Sequence, residues 1–154
     1  MRPLLLPCCL FFVLTASRAL PSASSSQSPI FIYVAAEKYE PLAWMHGNDR
    51  FPHGAKLFVH RAGENRPLLP DFAASADPTV SFDGKRLLFA GKKTARDHWQ
   101  IWEMNLSGGS PRRLTSCAAN CIRPFYLPDD RFVVAEKSPG GTIIKSVPLE
   151  NGPA

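Results

Sequence analysis

Three histidines spaced seven apart (His46, His53 and His60), two cysteines four apart (Cys117 and Cys121) and the acids Asp83, Asp129 and Asp130 are the side chains of this chain with chemical potential. Histidine and cysteine are the usual zinc ligands, but on strands a seven-residue spacing does not bring side chains together and no carboxylate pair accompanies the three histidines. Covalent haem attachment needs Cys-x-x-Cys-His, whereas three residues separate these cysteines and Ile122 follows them. The sequence holds no Gly-x-Ser-x-Gly elbow and no glycine-rich phosphate loop ahead of a helix. Asp83, Asp129 and Asp130 sit where turns are expected, so they read as turn acids rather than as a general acid and base. No metal, no cofactor and no enzymatic activity are therefore expected of the chain itself.

The termini supply the context for the cysteines. Arg2 precedes an apolar run from Leu4 to Leu14, and Ser17 and Ala19 then present small side chains. This is the layout of a secretory signal, with cleavage expected between Ala19 and Leu20. The run is well short of the about 20 apolar residues that span a bilayer, so no membrane span is expected in the mature chain. Cys8 and Cys9 lie inside the apolar run rather than behind a small-residue lipobox. The protein is expected to be exported, to a periplasmic or extracellular location. There, nearby thiols pair if their Cα atoms come within about 4.4 to 6.8 Å, so Cys117 and Cys121 are expected to form a local disulfide, the alternative being two unpaired thiols in a loop.

The 154-residue chain carries a formal charge of +5, which falls to +3 once Arg2 and Arg18 leave with the signal. The remaining cations come in ones and twos beside turns (Lys85-Arg86, Lys92-Lys93, Arg112-Arg113) and form no stripe with aromatics between them. A nucleic-acid partner is therefore not expected.

The elements that must position these residues are strands. In "SFDGKRLLFAG" an Asp-Gly pair, Asp83-Gly84, separates two apolar runs, the strongest short-range signal for a hairpin. "LPDDRFVVAEK" repeats the phrase with Asp129-Asp130 in the turn, so that Asp77-Pro78 lies 46 positions before Arg123-Pro124 and Ala90 lies 45 before Ala135. "KLFVHRAGENRPLLP", "QIWEMNLSGGSPRRLT" and "TIIKSVPLENGPA" share a second layout, an alternating strand, a glycine turn and a closing segment. Alternating these phrases gives four short antiparallel strands per repeat of 40 to 50 residues, the signature of a β-propeller blade. Residues 20–29 read as a flexible Ser- and Pro-rich lead, Ile30 to Ala35 as a strand, and 37–54 as a loop with a short strand near Leu42 to Met45. Phe82, Phe89, Trp99, Trp102 and Phe125 are expected to pack blade against blade.

"ADPTVSFDGKRLLFAGKK" followed by "WQIWEMNLSGGSPRRLT" resembles the WD-like propeller repeat of the TolB type. The matching residues are Asp77, Pro78, Ser81, Asp83, Gly84, Lys85, Phe89, Ile101, Met104, Gly109, Arg113, Leu114 and Thr115, with Phe82 replacing the usual Pro and Asp130 the usual turn Gly of the second copy. The same stretch also resembles the propeller-bearing segment of proteins like the hydrazine synthase alpha subunit, whose haem motifs lie on other segments. The resemblance implies an all-β fold, an incomplete β-propeller of four-stranded antiparallel blades. With the signal (1–19) and the flexible lead (20–29) read from composition, the chain then divides into N-terminal strands with the closing hairpin of one blade (30–70), a complete blade (71–116) and a partial next blade (117–154), with further blades expected from a longer chain. The resemblance implies an exported scaffold that binds a protein or a small ligand. The alternative is the propeller portion of a larger enzyme, an oligopeptidase-like hydrolase or a hydrazine-synthase-like redox protein.

Overall fold

In the computed structural model, which describes residues 29–46 and 48–149, the Asp-Gly turn folds its flanking runs onto each other. Ser81 and Arg86 close the loop, with the Ser81 N–H donating to the Arg86 carbonyl at 2.9 Å, and Gly84 turns at φ 71° where a side chain would be strained. Asp130, in the same place in the second copy, adopts φ 54° itself, a conformation that Asp tolerates better than most residues.

Among the described residues ten strands form three antiparallel sheets that follow one another along the chain. The first contains β1 (Phe31–Ala35), β2 (Lys56–Arg61) and β3 (Glu64–Pro67) in sequential order. The second has four strands, again in order: β4 (Ala74–Val80), β5 (Arg86–Lys92), β6 (Gln100–Asn105) and β7 (Arg112–Arg113). The third contains β8 (Cys121–Leu127), β9 (Arg131–Ser138) and β10 (Gly141–Pro148). Glycine turns at Gly108-Gly109 and Gly140-Gly141 join β6 to β7 and β9 to β10. Among the described residues no helix is long and apolar enough to cross a membrane.

Side-chain alternation on β5 shows how the sheets stack. Leu87 and Phe89 join Leu57, Leu69 and Phe72 in a core against the first sheet. Leu88 and Ala90 join Ala76, Ile101, Phe132 and Val134 in a core against the third. All four β5 side chains are fully buried, which explains why "RLLFAG" is a continuous apolar run and not an alternating one. Each large apolar side chain so buried contributes about 1.5 to 3 kcal/mol relative to exposure.

Both inner strands, β4 and β8, carry the same irregularity. The pairing register shifts between Ala76 and Thr79 in β4 and between Ile122 and Phe125 in β8. Each bulge holds one non-glycine residue at positive φ, Asp77 at 54° and Arg123 at 53°, followed by a proline that has no N–H to leave unpaired.

Two sequence expectations are corrected. The stretch near Leu42 to Met45 is not a strand: Ala43–His46 forms a 3-10 helix, because Pro41 opens a turn in which the Ala43 N–H donates to the Glu40 carbonyl and the Met45 N–H to that of Leu42. Phe89 and Trp99 are buried between sheets, but Phe82 is 78% and Phe125 56% exposed. Phe82 lies past the end of β4 on the turn, and Phe125 points to the face of the third sheet that no other sheet covers among the described residues.

Gly91 shows how closely the first interface is packed. A Cβ there would stand 2.9 Å from the Phe72 ring and 3.0 Å from that of Phe89. Phe72 cannot yield, since it is held edge-on between Phe89 and Trp102 with ring centroids 5.4 and 5.0 Å away. Gly91→Ala should therefore cost about 1 to 3 kcal/mol through overpacking, read as a lower urea midpoint with an unchanged m-value.

Candidate functional site

The long connection from β1 to β2, residues 36–55, is the feature that a simple blade does not need. It closes on itself, with the Glu40 N–H donating to the Arg50 carbonyl at 2.8 Å and the Asn48 N–H to that of Ala43 at 2.8 Å, while the Tyr39 and Phe51 rings stack at 5.2 Å. From this base it crosses the second sheet as a strap and reaches the third, where Trp44 Nε1 donates to Thr142 Oγ1 at 2.6 Å.

Two acids fasten the strap. Asp49 Oδ1 accepts the Phe51 N–H at 3.0 Å, and its Oδ2 accepts from Lys92 Nζ at 3.1 Å and Trp99 Nε1 at 2.9 Å. Partial burial pushes the Asp49 carboxyl up, but these three donors outweigh it and hold the group below its ordinary value of 3.8. Asp77 receives Arg50 as a fork, Nη1 to Oδ1 at 3.1 Å and Nη2 to Oδ2 at 2.7 Å, with the Arg50 side chain only 4% exposed. Asp77 Oδ2 also accepts the Arg123 N–H at 3.0 Å, and Thr79 Oγ1 donates to the Pro124 carbonyl at 2.7 Å, so the two bulges bond to each other.

Glu103 forms a second link between sheets. It is buried, with Oε2 accepting from Arg112 Nε at 2.9 Å and Nη2 at 2.6 Å, and Oε1 accepting the Tyr126 hydroxyl from β8 at 3.0 Å. Desolvation, reinforced by the Glu103 charge, pushes the Tyr126 phenol far above its ordinary value of 10.0. Near the other end of the sheet the Gln100 amide accepts from Thr115 and the Cys117 N–H and donates to the Cys117 carbonyl. This network explains the closing "LT" of the repeat, since Thr115 Oγ1 also accepts the Ile101 N–H at 2.9 Å.

Cys117 and Cys121 are joined as a disulfide across the passage from the second sheet to β8, with Cα atoms 6.3 Å apart. Among the described residues the one cluster of three potential metal ligands is Cys117, Cys121 and Glu136, and the disulfide engages both of its sulfurs. The three histidines are apart in role: His60 Nδ1 is bonded to Asn65 at 2.8 Å, His53 faces Glu37 at 3.3 Å, and His46 ends the 3-10 helix. Asp83 accepts from the Ser81 hydroxyl at 2.5 Å and the Lys85 N–H at 3.1 Å, bonds that lower its pKa and occupy it as a turn acid. Asp129 and Asp130 lie in the β8–β9 turn, and the Ala19–Leu20 junction lies outside the described residues.

Between the strap and the β5–β6 loop lies a cavity of about 290 Å³ lined by Asp49, Phe51, His53, Lys92 and Trp99. It offers two aromatic rings, a carboxylate and an ammonium. Exposed apolar side chains also concentrate on the strap, at Tyr39, Leu42 and Met45, the last 77% exposed. Sequence reasoning missed Trp44, Asp49, Arg50 and Lys92. The one available signal was the length of the β1–β2 connection, since long loops within a compact domain are usually functional.

With three successive antiparallel sheets described, comparison with known proteins becomes informative. The fold is that of a β-propeller segment. The protein assigned as TolB in Agrobacterium tumefaciens superposes with a TM-score of 0.55 at 19% identity, over 65% of this chain and 36% of that one. Kuenenia stuttgartiensis hydrazine synthase superposes with a TM-score of 0.52 at 24% identity, over 78% of this chain and 17% of that one. In sequence the chain is 38% identical over 77 residues to the hydrazine synthase subunit alpha of Kuenenia stuttgartiensis, a match that covers 49% of this chain and 10% of that subunit. The chain thus spans about a tenth of that relative's length and about a third of the TolB chain's. No protein-family profile matches it. The described residues hold three sheets, one of them four-stranded, against the four to eight blades of a closed propeller.

Two predictions follow from the carboxylates. Asp77→Ala leaves the buried Arg50 guanidinium unpaired and should cost about 3 to 5 kcal/mol in chemical denaturation, while the double variant Arg50→Met/Asp77→Asn should recover most of this. For Asp49 the folded-state pKa is depressed, so its stabilising contribution is present above the ordinary value of 3.8 and is lost as pH falls through the lower folded value. Thermal melts from neutral pH downward should show Asp49→Asn to be less stable at neutral pH and to lose less stability on the acid side than the parent.

Proposed function

We propose that the protein is an exported binding scaffold, a TolB-like propeller segment whose strap presents a docking site for a protein or a small ligand, and that the chain itself performs no catalytic step. The observation that carries this is the strap. It is held to the second sheet by Asp49 and Arg50 and to the third by Trp44, yet it displays Tyr39, Leu42 and Met45 to solvent. Rigid support under an exposed apolar surface is how a loop becomes a recognition element. Export rests on the basic and apolar run at residues 2–14, the small residues at Ser17 and Ala19, and the local disulfide, which persists in an oxidising compartment.

The test is a pull-down with the mature chain from the exported fraction of its own cells, followed by titration of the partner recovered. Leu42→Asp/Met45→Asp should weaken binding at least tenfold while leaving the melting temperature unchanged. A partner that binds this variant as well as the parent would show that the strap is not the recognition element.

A second reading is favoured by the 38% identity to a hydrazine synthase subunit: the segment would be the propeller portion of a larger redox enzyme. Recovery of a redox activity on adding this chain to an otherwise inactive remainder of such an enzyme would establish it over the scaffold.

A further inference from the structure

Arg50, Lys92 and Lys145 lie against Asp77, Asp49 and Glu136, and Arg86 and Arg112 share Glu103. Around the β5–β6 connection, residues 93–99, this pairing of cation with acid stops. Lys93, Arg96 and His98 of the connection and Arg113 of β7 line one open cavity of about 400 Å³, together with Trp102 and the buried Gln100. The acid among them is Asp97. Sequence gives no hint of this gathering, because Arg113 stands 15 or more positions from the other cations and is brought beside them by the pairing of β7 with β6.

The fold sets the positions of these groups. The Thr94 N–H and hydroxyl both donate to Asp97 at 2.8 Å, and the Asp97 N–H donates to the Thr94 carbonyl at 3.2 Å, a closed turn that carries Arg96. The bonds from Thr94 hold the Asp97 carboxyl below its ordinary value of 3.8, so Asp97 is ionised and its oxygens are engaged by its own turn. Arg113 is anchored through Nε, which donates to the Thr115 carbonyl at 2.5 Å and uses one of the five guanidinium N–H groups. Lys93 Nζ stands 3.9 Å from the Phe72 ring centroid and 5.6 Å from that of Trp102. Gln100 Nε2 donates one of its two hydrogens to the Cys117 carbonyl at 2.9 Å. The side chains of Arg96 and His98 make no hydrogen bond or ion pair among the described residues.

Lys93, Arg96 and Arg113 bring three positive charges against the one negative charge of Asp97, an excess of two in a single cavity. Such a cluster repels itself until an anion enters, and the aromatic and backbone walls around it strengthen the attraction for that anion. The volume is that of a small-molecule cleft and exceeds the needs of one inorganic ion. Guanidinium forks match the paired oxygens of carboxylate and phosphate. We propose that this cavity binds a small organic anion carrying two or more carboxylate or phosphate groups, received by Arg96, Arg113 and Lys93 with an N–H from His98. The site lies on the β5–β6 connection and not on the strap, so it goes beyond the scaffold reading and stands or falls separately from it.

The test is calorimetric titration of the purified full-length protein with citrate and, separately, with pyrophosphate, at physiological ionic strength. One site per chain is expected for at least one of the two, and the tighter of them tells a carboxylate ligand from a phosphate ligand. Arg96→Glu, at an exposed position, should weaken binding by about tenfold or more with the melting temperature unchanged. Lys85→Glu makes the same change of charge on the β4–β5 turn at the other end of the sheet, and should bind as the parent does. Added salt should weaken the parent's binding. Failure of both anions to bind would overturn the proposal. So would an Arg96→Glu protein that binds as tightly as the parent, or an equal loss in Arg96→Glu and Lys85→Glu, which would show attraction by overall charge and not by this cavity.

Discussion

The carboxylate of Asp77 is the point on which the arrangement of sheets depends. It sits in a β-bulge at positive φ, so that its side chain leaves the plane of the second sheet and reaches sideways. There it receives the Arg50 guanidinium from the strap and the Arg123 N–H from the next bulge. Three chain segments far apart in sequence converge on two oxygen atoms. The positive φ of Arg123, costly for a long side chain, places its N–H on Asp77, so the strain in one bulge is offset by the hydrogen bond to the other. Hydrophobic burial between sheets is non-directional and would tolerate sliding, whereas this set of bonds fixes the offset of one blade on the next.

Much of the fold was legible because its signals are local. Asp83-Gly84 needs only its own turn to declare a hairpin, and the 45- and 46-residue offsets between copies reflect strands and turns of nearly constant length. The apolar run on β5 held a signal that the sequence reading did not use, since a strand buried on both faces belongs to the middle of a stack. The strap was not legible. Trp44, Asp49 and Arg50 act through Thr142, Lys92, Trp99 and Asp77, partners 27 to 98 positions away, and no periodicity links such pairs. Leu42 to Met45 is apolar enough for a strand, but it has no neighbouring edge to pair with, and Pro41 starts a turn instead. Phe82 misled for a similar reason: composition marks an aromatic as core, yet two residues beyond the end of β4 the backbone turns it to solvent.

Charged groups in this molecule divide by what surrounds them. Asp83 and Asp97 are turn acids in solvent, satisfied by their own loops. Asp77 and Glu103 lie between sheets, and each has at least one arginine together with a donor from the following sheet. A buried carboxylate with its full set of donors tolerates no substitute geometry, because a displaced donor leaves an uncompensated charge. The same requirement that makes these acids poor candidates for proton transfer makes them effective at fixing blade position. Two carboxylate hubs, an amide network at Gln100 and a disulfide are thus all placed where one sheet hands over to the next.

That placement bears on how a segment of few blades holds its form. In a closed ring every sheet is supported on both sides, and weak inter-blade bonds suffice because slippage at one interface is opposed by all the others. Among the described residues the outer sheets have a neighbour on one side alone, and there each junction carries its own restraint. The second sheet meets this need at its inner end through Asp77, at its middle through Glu103 and Tyr126, and at the passage to β8 through Cys117 and Cys121. The strap adds a fourth restraint that spans both junctions, since Asp49 and Arg50 grip the second sheet while Trp44 reaches the third. Because the strap leaves and re-enters the first sheet and touches the third at Trp44, relative rotation of the outer sheets would break bonds at Trp44 or at the two acids. Its tip is consequently fixed relative to the sheet faces.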